Sequence, residues 1–288
     1  MIQYGDARGC RGIAALALLF LSQEAAECIA QVVLDGKFGT SGALTGPQYQ
    51  IPQEAGSVRG NNLFHSFQQF DLGANDVASF SGAANIQNIL ARVTGGNASS
   101  IDGTIRSEIS GANFFFINPQ GVIFGPNARV DVSGSFAFSS ADYLKLADGA
   151  RFVASLDADD SVLSTAPVSA FGFINSAPGS LQLQQTSLLA NEGQKISLVG
   201  GEITLEGASV QAPGGDINVV AVSSPGEVPV NASYLNPAGF AAAFPNAGAI
   251  GMSGGAKLDT SGEGGGRIVI RGGSLVVDKS KIEANSLG

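Results

Sequence analysis

Beyond residue 31, apolar positions do not recur at the i, i+3, i+4 spacing that builds one face of a helix. Short runs rich in Val, Ile and Phe stand instead between Gly, Asn, Asp and Ser, the pattern of strands and turns. One stretch repeats. Ile196-Ser-Leu-Val-Gly-Gly-Glu-Ile-Thr-Leu aligns with Ile268-Val-Ile-Arg-Gly-Gly-Ser-Leu-Val-Val, which places Ile203 on Leu275, Leu205 on Val277 and, further on, Val210 on Ile282. Asp216-Ile-Asn-Val-Val-Ala-Val222 restarts the phase about one solenoid turn after Ile196.

A period near 20 residues without a leucine-rich framework predicts an all-β fold, a parallel β-helix wound as a single-stranded solenoid, and the fold read for the whole chain is right-handed with an N-terminal cap. Ile196 and Leu198 then point inward and Ser197 outward. The Gly200-Gly201 and Gly272-Gly273 pairs suit corners of positive φ. An antiparallel up-and-down barrel is the alternative, and it wants two-residue hairpin loops of the Asn-Gly or Asp-Gly type, which are few here. Some 12 turns at a spacing of about 4.8 Å would make a rod of about 60 Å.

Thirteen of the 17 Phe residues fall between Phe64 and Phe173, so the first half is expected to have an aromatic interior and the second a slimmer aliphatic one. Between residues 224 and 248 the period lapses into Pro225, Pro229, Pro237 and Pro245 with many Ala. Pro cannot donate to a central ladder, so this segment reads as an irregular excursion from the rod, either a flexible or partner-facing loop or a spacer.

The first thirty residues have a different grammar. Arg8 and Arg11 precede the apolar run 13–21, and small residues follow around Ala25, Ala26 and Ala30. This is the order of a secretory signal peptide over 1–30, cut after Ala30 or, as second choice, after Ala26. A lipoprotein reading of Cys28 meets Glu27 where a small residue belongs. Cleavage after Ala30 removes Cys10 and Cys28. It also takes two basic and three acidic residues from the 15 and 24 of the whole chain, so the net charge moves from −9 to −8. The missing disulfides fit either a chain with core enough of its own or one that must pass a narrow pore unfolded. Residues 31–190 and 191–288 read as two regions of one solenoid, the second holding the excursion.

The acidic balance speaks against nucleic acid and against an anionic membrane surface. Little chemistry is on offer. His65 is the sole histidine, and its neighbours Phe64 and Phe67 place it in a strand. Asp157, Asp159 and Asp160 suit calcium or a solvated loop, without the Gly-spaced ligand pattern of a calcium loop. Gly262-Glu-Gly-Gly-Gly266 leads into a strand and reads as a wide corner. No catalytic, metal or cofactor residue is assigned. Because β-helices also house polysaccharide lyases and hydrolases, that enzyme class stands as the alternative function.

Several segments carry a family resemblance: Val33-Leu-Asp-Gly-Lys-Phe-Gly-Thr40, Gly60-Asn-Asn-Leu-Phe-His-Ser-Phe-Gln-Gln-Phe70, Ala84-Asn-Ile-Gln-Asn-Ile-Leu-Ala-Arg-Val-Thr-Gly-Gly96 and Asn113-Phe-Phe-Phe-Ile-Asn-Pro-Gln-Gly-Val-Ile-Phe-Gly-Pro-Asn-Ala128. Together they resemble the amino-terminal domain of filamentous-haemagglutinin-type exoproteins, the substrates of two-partner secretion. Gly193-Gln-Lys-Ile-Ser-Leu-Val-Gly-Gly-Glu-Ile-Thr-Leu-Glu-Gly207 is similar to the turns that follow this domain, notably in cyanobacterial members. The family's Asn-Pro-Asn-Gly-Ile stands here as Asn118-Pro119-Gln120-Gly121-Val122, and its Asn-Pro-Asn-Leu is not evident.

The resemblance implies an exported, non-enzymatic rod, adhesin- or haemagglutinin-like, on the cell surface or secreted. Its implied partners are an outer-membrane β-barrel transporter with periplasmic polypeptide-transport-associated modules and, for the adhesin role, a cell-surface or glycan receptor. Asn61, Asn62, Asn118, Pro119, Gln120 and Gly121 are the candidate recognition residues. The Asn118 corner either turns the chain between strands or contacts the transporter, and the two roles are compatible.

Overall fold

The computed structural model describes residues 31–231 and 236–288; the expected signal peptide and both cysteines lie outside the described residues. Each winding adds one short strand to each of three faces. The first face stacks Asn62–Phe70, Asn88–Val93, Asn113–Ile117, Phe136–Ser139, Lys195–Gly200, Asp216–Ala221 and Arg267–Arg271, every neighbouring pair parallel. The second stacks Ser99–Ile101, Gly121–Phe124, Ser180–Gln184, Ile203–Glu206, Ala249–Ser253 and Ser274–Val277, also parallel. The third is made of two four-stranded parallel sheets, Gln48–Pro52 to Arg129–Asp131 and Ser187–Leu189 to Lys281–Glu283. This is the parallel β-helix that the periodicity predicts.

Register stacks like on like. Phe114 and Phe116 sit over Phe136 and Phe138, which sit over Ile196 and Leu198. Ile196, Ile217 and Ile268 form one ladder, so the spacing seen in the sequence is one winding. The longer repeat spans two windings: Ile203 pairs with Ile250 and Ile250 with Leu275. The Gly pairs serve space and not positive φ. A Cβ on Gly201 would lie 2.3 Å from the Pro178 carbonyl oxygen, and one on Gly273 would lie 2.6 Å from that of Ala247, while neither residue has φ above zero.

Seven strands on the first face give about 30 Å of stack at the usual strand spacing, half the expected rod. The missing windings are spent on a second layer. After Phe136–Ser139 the chain leaves the solenoid and forms Tyr143–Leu146, Arg151–Val153 and Val168–Phe173; after Asp216–Ala221 it leaves again at the equivalent corner and forms Gly226–Pro229. The two excursions join in one antiparallel sheet, because Val168–Phe173 pairs with Gly226–Pro229. The described parts of the Pro-rich segment are therefore neither spacer nor free loop. Gly226–Pro229 lies on a sheet edge, which tolerates Pro229. The helix α1 (Pro237–Ala243), capped by the Asn236 side chain, buries Phe240.

This layer covers the outer side of the first face. Phe64, Leu90, Phe115, Val199, Val220 and Val269 face outward into a second core with Leu144, Phe152, Phe171, Val228, Phe240 and Phe244. The aromatic residues thus divide between two cores. Phe114 and Phe116 fill the solenoid and Phe115 fills the layer outside it. A strand buried on both sides reads as a continuous apolar run, which explains the Phe triplet.

At the amino-terminal end, Val32–Asp35 and Ser57–Arg59 pair antiparallel with Asn62–Phe70 and close that edge as a cap. If the outer layer is part of the folded unit, Phe115→Ala should cost about 3 kcal/mol or more in chemical unfolding. The exposed second-face change Gln184→Ala should stay within about 0.5 kcal/mol.

Candidate functional site

The first face begins with asparagine in three of its early windings. Asn62, Asn88 and Asn113 open three successive strands in register. Asn88 Nδ2 donates to Asn62 Oδ1 at 2.9 Å and Asn113 Nδ2 to Asn88 Oδ1 at 3.1 Å, while Asn113 Oδ1 accepts from the Ser135 amide. Asn62 Nδ2 donates to the carbonyls of Ser164 and Ala166, so the ladder also ties the first excursion to the solenoid. Asn88 and Asn113 escaped the sequence reading, although Asn followed by large apolar residues at the head of three strands is a visible signal. Asn61 is exposed, and its carbonyl accepts from the Gln87 and Asn88 amides.

Asn118 follows the far end of the same face. Its side chain is buried; Nδ2 donates to the Asn97 carbonyl and to Ser99 Oγ, both at 3.0 Å, and Oδ1 accepts from the Gln120 amide. The Gly121 amide closes the turn on the Asn118 carbonyl at 2.9 Å. Gly121 has φ +109°, and a Cβ there would meet the Ser180 carbonyl oxygen at 2.4 Å, so only glycine fits. The Pro119 carbonyl accepts from the Gly179 amide, and the Gln120 side chain is exposed. The six candidate residues therefore form two clusters at opposite ends of a face, separated by roughly one strand length of about 16 Å. In each cluster the asparagine that could read a partner is spent on the fold.

A third constellation lies between the layers. Arg92, with no exposed side-chain surface, rises from the outer side of the first face. Nε donates to Ser66 Oγ at 2.7 Å, Nη1 to the Val153 carbonyl, and the two terminal nitrogens to the two oxygens of Asp160 at 2.8 and 2.7 Å. The guanidinium stacks on Phe152, 4.5 Å from the ring centre. Ser66 Oγ and Thr94 Oγ1 both donate to Asp35 Oδ2. Asp160 is thus neither a calcium ligand nor solvated; Asp159 accepts from the Ser161 amide and caps a one-turn helix. Among the described residues no three His, Cys, Asp or Glu side chains gather as a metal site.

On the far side of the outer sheet, Glu227 accepts from Tyr143 Oη at 2.9 Å and Lys145 Nζ at 2.7 Å, tying the second excursion to the first. Burial pushes the Glu227 carboxyl up, but the hydrogen bonds from Lys145 and Tyr143 outweigh it and hold the group below its ordinary range. Burial, then the bond to Glu227, pushes the Tyr143 phenol up to about 12.

His65 is in the predicted strand and points into the solenoid, stacked near Phe67 and edge-on to Phe80. Neither ring nitrogen has a hydrogen-bond partner, and the Ala55 backbone lies near without reaching bonding geometry. Sealed from solvent, it is out of reach of any substrate. Burial drives its pKa down to about 3.

A family model described as the TPS secretion domain matches residues 30–277. The chain belongs to the TPS secretion domain family. No curated protein is matched by it. The two-partner secretion match covers both excursions and every solenoid strand but the last, Lys281–Glu283, so the outer layer lies inside the matched region. As a two-partner secretion exoprotein the chain has an outer-membrane transporter as its partner, by which substrates of this family reach the cell surface or the medium.

Two predictions concern the buried charges. Asp160→Asn strands the Arg92 guanidinium and should cost about 3 kcal/mol in urea unfolding, part of which returns when Arg92→Leu is added. Because folding holds His65 neutral, stability should decline as pH falls from about 6.5 towards about 3, by at most about 5 kcal/mol. His65→Leu should lack that share of the acid loss when the two proteins are unfolded in parallel across this range.

Proposed function

We propose that residues 1–30 carry the chain to the periplasm, where residues 31–190 are read, still unfolded, by polypeptide-transport-associated modules of the β-barrel partner. Residues 191–288 follow as the first stalk windings, and the rod folds outside and acts as an adhesin of haemagglutinin type on a cell-surface or glycan receptor. The observation that carries this order of events is the state of Asn62 and Asn118. Both side chains are fully engaged and buried in the folded rod, so a partner meets them only before folding. An extended segment pairs naturally with a strand edge of such modules, the backbone giving affinity and alternate side chains specificity.

Outside, each closed winding presents an edge for the next. Burial of the apolar ladder then favours outward movement without nucleotide hydrolysis.

Asn61 and Gln120 separate recognition from stability, because both are exposed and neither side chain makes a hydrogen bond among the described residues. Asn61→Ala with Gln120→Ala should leave the melting temperature within a degree or two, as surface changes do, and should lower release into the medium by cells that carry the partner. Unchanged release would remove these residues from recognition. Equal release with and without the partner would remove the transport reading altogether.

A further inference from the structure

Two of the three faces run unbroken from end to end, and the third does not. Arg129–Asp131 ends its first sheet and Ser187–Leu189 begins its second, with no backbone hydrogen bond between them. The first and second faces cross the same junction in parallel register. Two side-chain bonds tie the lips of the break: Thr186 Oγ1 donates to the Ala128 carbonyl at 3.2 Å and Asn191 Nδ2 to the Ser133 carbonyl at 3.4 Å. A peptide strand therefore cannot enter the ladder here. What the break leaves is a groove of about 380 Å³ on the outer side of the rod.

The groove is basic in an acidic protein. Arg106 gives only Nε to Asp131, at 2.8 Å, and its two terminal nitrogens have no partner among the described residues. The Arg129 guanidinium makes no hydrogen bond or ion pair among the described residues either. Two guanidinium groups and one carboxylate leave a local charge of +1 on a chain whose net charge is −9. Thr104 and Ser187 add hydroxyls, and Leu189, 53% exposed, adds an apolar platform.

Each of these groups has a counterpart in one ligand class. A free guanidinium takes a carboxylate through two parallel hydrogen bonds. The Arg106–Asp131 pair presents donors beside an acceptor, as neighbouring sugar hydroxyls require. The exposed leucine matches the C–H face of a pyranose ring, and the volume lies in the range of small-ligand clefts. We propose that this groove binds a carboxylate-bearing polysaccharide, with Arg129 on the uronate carboxylate and Arg106 with Asp131 on its hydroxyls. The proposal gives a ligand class to the adhesin reading and rests on it only for placing the groove where such a polymer is met.

Calorimetric titration of the purified, folded protein with trigalacturonate tests it, with neutral trigalactose, inorganic phosphate and a triglutamate peptide as comparisons. Trigalacturonate should bind saturably and trigalactose at least tenfold more weakly. Arg129→Gln should weaken binding at least tenfold without moving the melting temperature, and Lys281→Gln, on the same face away from the groove, should leave it unchanged. Absence of saturable binding overturns the proposal. So does an equal loss in Lys281→Gln, which would mean diffuse charge attraction. Equal affinity for phosphate or triglutamate would make the groove a general anion site or a protein contact and overturn the glycan assignment. No transporter is present in this titration, so a failed export assay and a failed titration are separate results.

Discussion

The rod depends on one constraint, the parallel register that sets each interior side chain directly above its equivalent in the winding before. Backbone hydrogen bonds between windings impose the spacing, and the apolar side chains then bury one another along the axis. Phe over Phe over Ile, and Ile over Ile over Ile, are consequences of it. A polar residue inside such a stack has nowhere to go. His65 shows the cost, a ring held neutral and without partners in the winding nearest the cap.

The second layer follows from the same register. Because the first face carries apolar residues on both sides, its outer surface needs cover, and the two excursions supply it together. They leave the solenoid at equivalent corners, separated by two windings, and meet as neighbouring strands. Arg92 with Asp160, Asn62 with the 164–166 loop, and Tyr143 and Lys145 with Glu227 fasten this cover to the rod and its halves to each other. The second excursion adds the strand whose Val228 completes the outer core, so the cover closes only when residues more than 160 positions apart are present together.

The architecture was legible because a solenoid writes its period into the sequence. Ile196, Ile217 and Ile268 carry it openly, and the Asn-Pro-Gln-Gly corner carries the family. The excursion at 224–248 was legible from its prolines; what escaped was the earlier departure after Ser139 and the joining of the two into one layer. The count of windings was too high because Tyr143–Leu146, Arg151–Val153 and Val168–Phe173 build the outer layer instead of coils, joined there by Gly226–Pro229. Phe115, between two inward phenylalanines, breaks the alternation of a half-buried strand and was the available sign of a second core. The partner of Arg92 lies 68 residues away on an excursion, where spacing holds no information. Asn62 and Asn118 were legible as special residues, yet their roles in the folded rod, ladder and corner staple, rest on contacts with neighbouring windings.

Under the proposed function the chain crosses the outer membrane unfolded and winds into its rod afterwards. A reversible covalent bridge between windings tests it most directly. Gln184 and Glu206 are exposed register partners on the second face, and beyond residue 30 the sequence has no other cysteine. With Gln184→Cys and Glu206→Cys together, release into the medium should stop under oxidising conditions and resume when a reductant is added during synthesis. Undiminished release of the bridged protein would contradict the account.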